Sequence, residues 1–313
     1  MTFPPAILLM GPTAAGKTEL AFYLHENLPV DLISVDSSQV YRGLDIGTAK
    51  PTKVEQARAP HRLIDLRDPA HSYSAADFCA DALREMQEIV SRGRIPLLVG
   101  GTMFYFHALE FGLSSLPPAN TKVRLQIKAE ADTMGWSVLH ARLAASDPEA
   151  AARINPNDTQ RIQRALELIE LTGETPSALN RRAPPQPPPF HFLRVMWTPH
   201  DRAWLHERIE RRFHTMLELG LVDEVEGLYR RGDLSDVLPS IRTVGYRQIW
   251  GYLTGRFTYN EMVRRSIAAT RQLAKRQLTW LRRYEGSAKI FDSMEAKGYL
   301  CLTYLQQCAV ERG

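Results

Sequence analysis

Short unbroken apolar runs alternate with amphipathic stretches through the first hundred residues of the chain. Ala6–Met10, Asp31–Val35, His61–Asp65 and Ile95–Gly100 read as strands, because apolar runs this short, bounded by polar or turn residues, suit strands covered on both faces. Between them, Lys17–Asn27 and Ala75–Ser91 space their apolar residues as helices do. Strand and helix alternating in this way predict βαβ units and a mostly parallel sheet covered by helices. From about Leu113 the pattern turns purely helical. Pro117 and Pro118 precede this block and Pro184, Pro185, Pro187, Pro188 and Pro189 follow it, so it reads as an insertion with proline-marked edges. Phe192–Trp197 predicts a strand returning to the sheet, followed by helices at Arg202–Leu219 and Val222–Arg231, with Gly220 and Gly232 placed to end them. The expected class is α/β, with a core made of residues 1–112 and 191–313 and an all-helical domain inserted at 113–190.

Composition adds limits. The 313 residues are 44% apolar and 24% charged, enough apolar material for a buried core and too much for disorder. No apolar run approaches the roughly 18–20 residues of a membrane span, and the first residues lack the basic and apolar regions of a signal peptide. A cytoplasmic protein without membrane contact is expected. Cys79, Cys301 and Cys308 have neither zinc-site spacing nor an even count for a disulfide framework, and read as inert thiols.

Charge changes the picture more. The net charge is +4, but residues 241–290 carry eleven Lys and Arg against Glu261 and Glu285, which makes that segment +9 and leaves the rest of the chain at −5. Within Glu261–Tyr284, Arg264, Arg271, Lys275 and Arg282 fall within roughly 40° of one line on a helix, with Met262, Ala269, Leu273 and Trp280 opposite. This predicts a long helix whose apolar side docks on a core and whose other side is a one-sign stripe. Salt-bridge decoration would mix signs, whereas a cationic stripe suits a polyanion backbone; a plain solvated face is the alternative.

Gly11-Pro12-Thr13-Ala14-Ala15-Gly16-Lys17-Thr18 fits the pattern G-x-x-x-x-G-K-[ST], directly after an expected strand and before a helix, the context that gives the pattern meaning. The glycines let backbone N–H groups converge on phosphate oxygens, the helix N-terminus adds positive potential, Lys17 adds a full charge, and Thr18 offers a hydroxyl to Mg2+. The core is therefore expected to be P-loop NTPase-like and to bind a di- or triphosphate. The loop by itself does not say which bond breaks.

Asp36 follows the second expected strand, at the carboxyl edge where ligands of open α/β sheets bind. It can hold Mg2+ through water, act as a general base toward an acceptor, or cap the turn through Ser37, Ser38 and Gln39. Gly100-Gly101-Thr102 forms the opposite lip, with Thr102 a neutral donor and acceptor, although a plain strand-to-helix turn reads the same way. The loop Val40–Lys50, with Tyr41, Arg42, Asp45, Thr48 and Lys50, is polar enough to read as site wall more than core.

Taken in order, GPTAAGKT (Gly11–Thr18), DSSQVYRGLDIGTAKP (Asp36–Pro51), GRIPLLVGGTMFY (Gly93–Tyr105), QRIQRALE (Gln160–Glu167), RIERRF with GLVDEV behind it (Arg208–Val225), SIRTVGYRQ (Ser240–Gln248) and RQLAKRQLTWLR (Arg271–Arg282) resemble the bacterial tRNA dimethylallyltransferase family, also called tRNA isopentenyltransferases. The resemblance runs from about residue 6 to residue 285. Ala15 stands where the family usually has serine, and the zinc finger of eukaryotic relatives has no counterpart. The resemblance implies transfer of a dimethylallyl group from its diphosphate to N6 of the adenosine 3′-adjacent to a tRNA anticodon (position 37), with Mg2+ as cofactor. It implies Asp36 as base, Thr102 as the group that orients the amine, and Arg212, supported by Arg208 one turn earlier, beside Lys17 on the diphosphate. Contacts to the tRNA anticodon stem-loop are implied for Asp36–Gln39, Thr102 and Arg124, for Gln160, Arg161, Ile162, Gln163 and Arg164, for Arg242, Thr243, Val244, Gly245, Tyr246 and Arg247, and for Lys275, Arg276, Gln277, Leu278, Thr279, Trp280, Leu281 and Arg282. A monomer is expected.

Three other readings compete. A small-molecule kinase would share the phosphate loop and a carboxylate after strand two, but needs no cationic stripe. An isopentenyltransferase acting on free adenine nucleotides would share the first half of the chain and lack the basic helix. A non-catalytic RNA-binding module leaves the phosphate loop without a purpose.

Overall fold

The apolar runs become parallel strands of one six-stranded sheet: β1 Pro5–Met10, β2 Val30–Val35, β3 His61–Arg62, β4 Ile95–Gly100, β5 His191–Thr198 and β6 Lys289–Asp292, in the spatial order β3-β2-β4-β1-β5-β6. The structure, a computed structural model, describes residues 3–114, 116–284, 286–292 and 301–306. In β1, alternate residues serve opposite faces. Leu8 and Met10 join Ile33, Val35 and Leu98 in one core, whereas Ile7 and Leu9 join Leu32, Leu97 and Val99 in another. A strand buried on both faces has no polar position to spare, which is why its sequence is an unbroken apolar run.

Four helices accompany the first half of the sheet: α1 Lys17–Asn27, α2 Lys53–Arg58, α3 Ala75–Ser91 and α4 Met103–Phe111. Phe78, Ala82, Met86 and Ile89 of α3 pack into the first core, while Leu20, Ala21 and Leu24 of α1 pack into the second. Local sequence sets where helices begin. Ser74 and Asp77 bond reciprocally at the start of α3, and Thr52 and Glu55 do so at α2, capping boxes whose Ser or Thr is each worth about 1 kcal/mol.

The chain divides into two compact units, Met1–Glu110 with Pro188–Gly313, and Phe111–Pro187. The second unit holds α5 Thr121–Met134, α6 Trp136–Ser146, α7 Pro148–Arg153, α8 Thr159–Thr172 and α9 Pro176–Arg182. It has its own core of Ile127, Leu139, Leu143, Ile162 and Leu166. Glu167 is fully buried there, and its carboxylate accepts bonds from Arg124 Nε at 2.9 Å, Arg164 at 2.7 Å and Asn120 N at 2.7 Å. A carboxylate out of water needs such compensation. The first unit resumes with β5 and continues through α10 Arg202–Glu218, α11 Leu221–Arg230, α12 Tyr246–Leu253 and α13 Tyr259–Leu281.

Two strand expectations change. The run His61–Asp65 pairs only at His61 and Arg62, opposite Leu32 and Ile33, because Leu63 and Asp65 take φ of 65° and 57° and turn the chain out of the sheet. β6 has no apolar run to announce it; it is a four-residue edge strand held in register by Val195–Thr198 of β5. Among the described residues no helix is long and apolar enough to cross a membrane. Cys79 and Cys301 are free, and burial pushes their thiols up to about 11 and about 12, so both stay protonated; Cys308 lies outside the described residues.

Candidate active site

β2, β4 and β1 are neighbours and parallel, so the segments leaving their carboxyl ends emerge side by side. Thr102 N donates to Val35 O at 3.2 Å, and Ser37 N donates to Thr102 Oγ1 at 3.0 Å, which fixes the two lips relative to each other. Such close approach requires glycine at the strand end: a Cβ on Gly100 would lie 2.0 Å from Val35 O, and one on Gly11 would lie 2.2 Å from Trp197 O. Asp36 Oδ1 accepts from Ser38 N at 2.9 Å, from Ser38 Oγ and from Gln39 N at 3.4 Å. One carboxylate oxygen therefore caps the turn, and that capping aims the group.

The phosphate loop is buttressed from three directions. Trp197 Nε1 donates to Ala15 O at 3.1 Å, and Arg208 Nε donates to Ala14 O at 3.0 Å while its guanidinium lies over the Trp204 ring. From α13, Gln277 accepts from Thr13 N at 2.8 Å and donates to Gly101 O at 2.9 Å, so one side chain ties the loop to the opposite lip. Ala14, a non-glycine residue, sits at φ 63°, strain that this packing sustains.

The electrostatics of this corner suit an anion. Burial, reinforced by the nearby Arg212 charge and only partly offset by Asp36, brings the Lys17 ammonium down to about 7. Arg212 is lowered by burial and by Arg208, again with Asp36 opposing. Three cations crowd together here with one carboxylate, and a bound di- or triphosphate would relieve them.

Two cavities meet at this place. One, of about 880 Å3, is lined by Gly16, Lys17, Thr18 and Arg208. The other, of about 490 Å3, is lined by Ser37, Ser38, Thr102, Arg242–Gly245, Arg276 and Trp280, with Ile209, Phe213, Met216 and Leu273 supplying an apolar wall. Asp36, Gly101, Arg212 and Gln277 line both.

Not every expected residue stands at this surface. Ile162, Tyr246 and Leu281 are buried, so they hold neighbours in place and offer no face to a ligand. Arg124 and Arg164 are engaged by Glu167, and Gln163 donates to Arg124 O, whereas Gln160 is exposed and Arg161, also exposed, pairs with Asp158 at 3.3 Å. The stripe on α13 is also less uniform than its spacing implies. Arg264, Lys275 and Arg282 are exposed, but Arg271 bonds Glu210 at 2.6 Å. The buried line of α13 runs through Met262, Ser266, Ala274, Gln277 and Leu281; of the expected apolar face, Met262 docks in the core and Trp280 packs against it, while Leu273 and Trp280 also wall the cavity. The loop Val40–Lys50 is core and wall at once. Buried Lys50 donates to Tyr41 O and bonds Asp45 and Asp65, while Glu224 accepts from the N–H groups of Asp45, Ile46 and Gly47 and from the Tyr246 hydroxyl. Gln277, expected as a tRNA contact, is instead a fastener of the site, as are Glu224 and Trp197, for which the sequence carries no such signal.

A parallel α/β sheet with a phosphate loop at its carboxyl edge, and a second cavity sharing part of its wall, defines the P-loop class of protein. The family profile of IPP transferase matches residues 39–284. A tRNA dimethylallyltransferase from Thioalkalivibrio sulfidiphilus is 61% identical over 283 residues, 90% of this chain and 88% of that protein. Among solved structures, the full-length tRNA isopentenylpyrophosphate transferase from Bacillus halodurans aligns with a TM-score of 0.71 at 37% identity, over 98% of this chain and 96% of that one. A eukaryotic dimethylallyltransferase acting on tRNA aligns with a TM-score of 0.79 at 26% identity, over 93% of this chain and 74% of the other. The chain belongs to the IPP transferase family.

Proposed function

We infer that the protein transfers a dimethylallyl group from dimethylallyl diphosphate to N6 of the adenosine 3′-adjacent to the anticodon, position 37 of tRNA, releasing diphosphate. The observation that carries this reading is the shared wall. With Asp36 and Arg212 lining both cavities, a group held by its phosphates on one side meets an acceptor on the other.

An exocyclic amine is a poor nucleophile because its lone pair is delocalised into the ring. Asp36 takes the N6 proton while Thr102 hydrogen-bonds the amine and orients it. The allylic C–O bond breaks with its electron pair leaving on the diphosphate, and the N6–carbon bond forms. Lys17, Arg208, Arg212 and the N–H groups of the phosphate loop hold the charge that develops on the leaving oxygen. Ile209, Phe213 and Met216 give the five-carbon chain an apolar wall. A phosphate loop of the kind used by kinases thus serves carbon–oxygen cleavage, and no phosphoryl group moves.

The donor set fits Mg2+ arriving with the diphosphate. Thr18 offers a hydroxyl, no cluster of three or more His, Cys, Asp or Glu among the described residues would hold an ion unaided, and Mg2+ commonly keeps waters and substrate phosphates as ligands. When bound, the ion would neutralise charge on the diphosphate. The adenosine is extruded from the anticodon loop into the second cavity, while Lys275, Arg276, Arg282, Arg242 and Arg247 contact the RNA backbone and the helical unit contributes Gln160 and Arg161. One chain lines both cavities, so the site is complete without a second copy, which supports a monomer. Diphosphate release from dimethylallyl diphosphate should require unmodified tRNA and stop at about one equivalent per RNA chain. Release at an equal rate without RNA would contradict the assignment.

A further inference from the structure

We propose that Phe104, backed by Trp280 and Arg283, is a stacking site for the nucleobase that neighbours the acceptor adenosine in the RNA. This rests on the acceptor being an adenosine within RNA. Helix α4 is apolar almost throughout, and Met103, Tyr105, Phe106, Ala108 and Leu109 are all buried. Phe104 is not: 49% of it is exposed, and it lines the acceptor cavity two residues after Thr102. A phenylalanine left half in water forgoes burial that its helical neighbours obtain, and its ring face stays available to a planar partner.

The ring does not stand alone. Trp280 of α13 meets it at 6.5 Å between centroids and 60° between planes, and His107, one turn further along α4, meets the same indole at 5.9 Å and 57°. The Arg283 guanidinium lies over the Trp280 ring at 4.1 Å. The cluster therefore joins aromatic faces to cationic charge, with Arg276 on the cavity and Arg282 exposed at the end of α13. Aromatic faces for bases and cations for phosphates are the means by which single-stranded nucleic acid is held. Extruding one nucleotide deprives the next base of its stacking partner, and Phe104 replaces that partner close to where Thr102 receives the acceptor. Stacking by itself does not distinguish bases, since every base has a π-face.

The test uses the full-length protein and anticodon stem-loop RNAs that are intact or carry one abasic nucleotide on the 5′ or the 3′ side of the acceptor. With the unaltered protein, one of the two abasic loops should lose about tenfold in kcat/KM. Phe104→Ala should lose a similar factor on the intact loop and nothing further on that abasic loop, while Phe104→Tyr should keep most of the activity on the intact loop. Equal losses for Phe104→Ala on intact and abasic loops, or no loss on any loop, would overturn the stacking site. Failure of the unaltered protein to alkylate the intact loop would instead overturn the reading on which it rests.

Discussion

Asp36 carries two duties that a single substitution separates. Oδ1 caps the turn at Ser38 and Gln39, and the carboxylate as a whole supplies the base. Asn keeps an oxygen for the cap and cannot take a proton. Asp36→Asn should therefore leave tRNA affinity within a few-fold and lower single-turnover transfer by about 10²–10⁴; near-normal turnover would remove Asp36 as base. Lys17 supplies a second prediction. Its free-state value of about 7 must rise once diphosphate lies beside it, so binding takes up a proton. The sign follows: affinity for dimethylallyl diphosphate is full below pH 7 and declines as the pH climbs above 7 toward the bound-state value. Calorimetry at pH 8 in two buffers of different ionisation heat should show proton uptake, and its absence would contradict the crowding of cations around Lys17.

Helix α13 does two jobs on different faces, and each has its own test. Lys275 and Arg282 are exposed and free to meet phosphates, whereas Arg271 is tied to Glu210. Lys275→Ala and Arg282→Ala should each weaken tRNA binding and flatten its salt dependence by close to one ion, roughly 0.7–0.9 in the log–log slope, while Arg271→Ala changes the slope less. Identical slopes in all three would make the stripe decorative. On the buried line, Gln277→Leu would leave Thr13 N–H and Gly101 C=O without their partner, at about 1–3 kcal/mol for each group that stays buried. Both protein stability and diphosphate affinity should fall, as thermal unfolding and calorimetry would register. What could be read at this scale followed from local physics. β1, β2 and β4 were legible because strands buried on both faces must be apolar throughout, and α3 because Ser74 and Asp77 mark its start. β6 was not, since a short edge strand owes its place to β5 and not to its own residues. Gln277 and Glu224 were opaque for a similar reason: their partners lie 264 and about 178 positions away, beyond the reach of any spacing argument.

Across the whole molecule, parallel strands bring three segments distant in sequence to one sheet edge, and the cavity beside it is walled by α13, whose Arg264, Arg265, Arg271, Lys275 and Arg276 against Glu261 make it +4, and by Arg242 from the same basic segment. That placement favours a polyanionic acceptor over a free nucleotide, and it lets a phosphate-binding loop work on a carbon group. The most direct measurement is mass spectrometry of nucleosides from unmodified tRNA incubated with the protein, Mg2+ and dimethylallyl diphosphate, with AMP as rival acceptor and ATP alone as control. A gain of one C5H8 unit on tRNA adenosine is expected, none with ATP alone, and AMP left unaltered. Alkylated AMP beside untouched tRNA, or phosphate added from ATP, would overturn the assignment of tRNA as the acceptor.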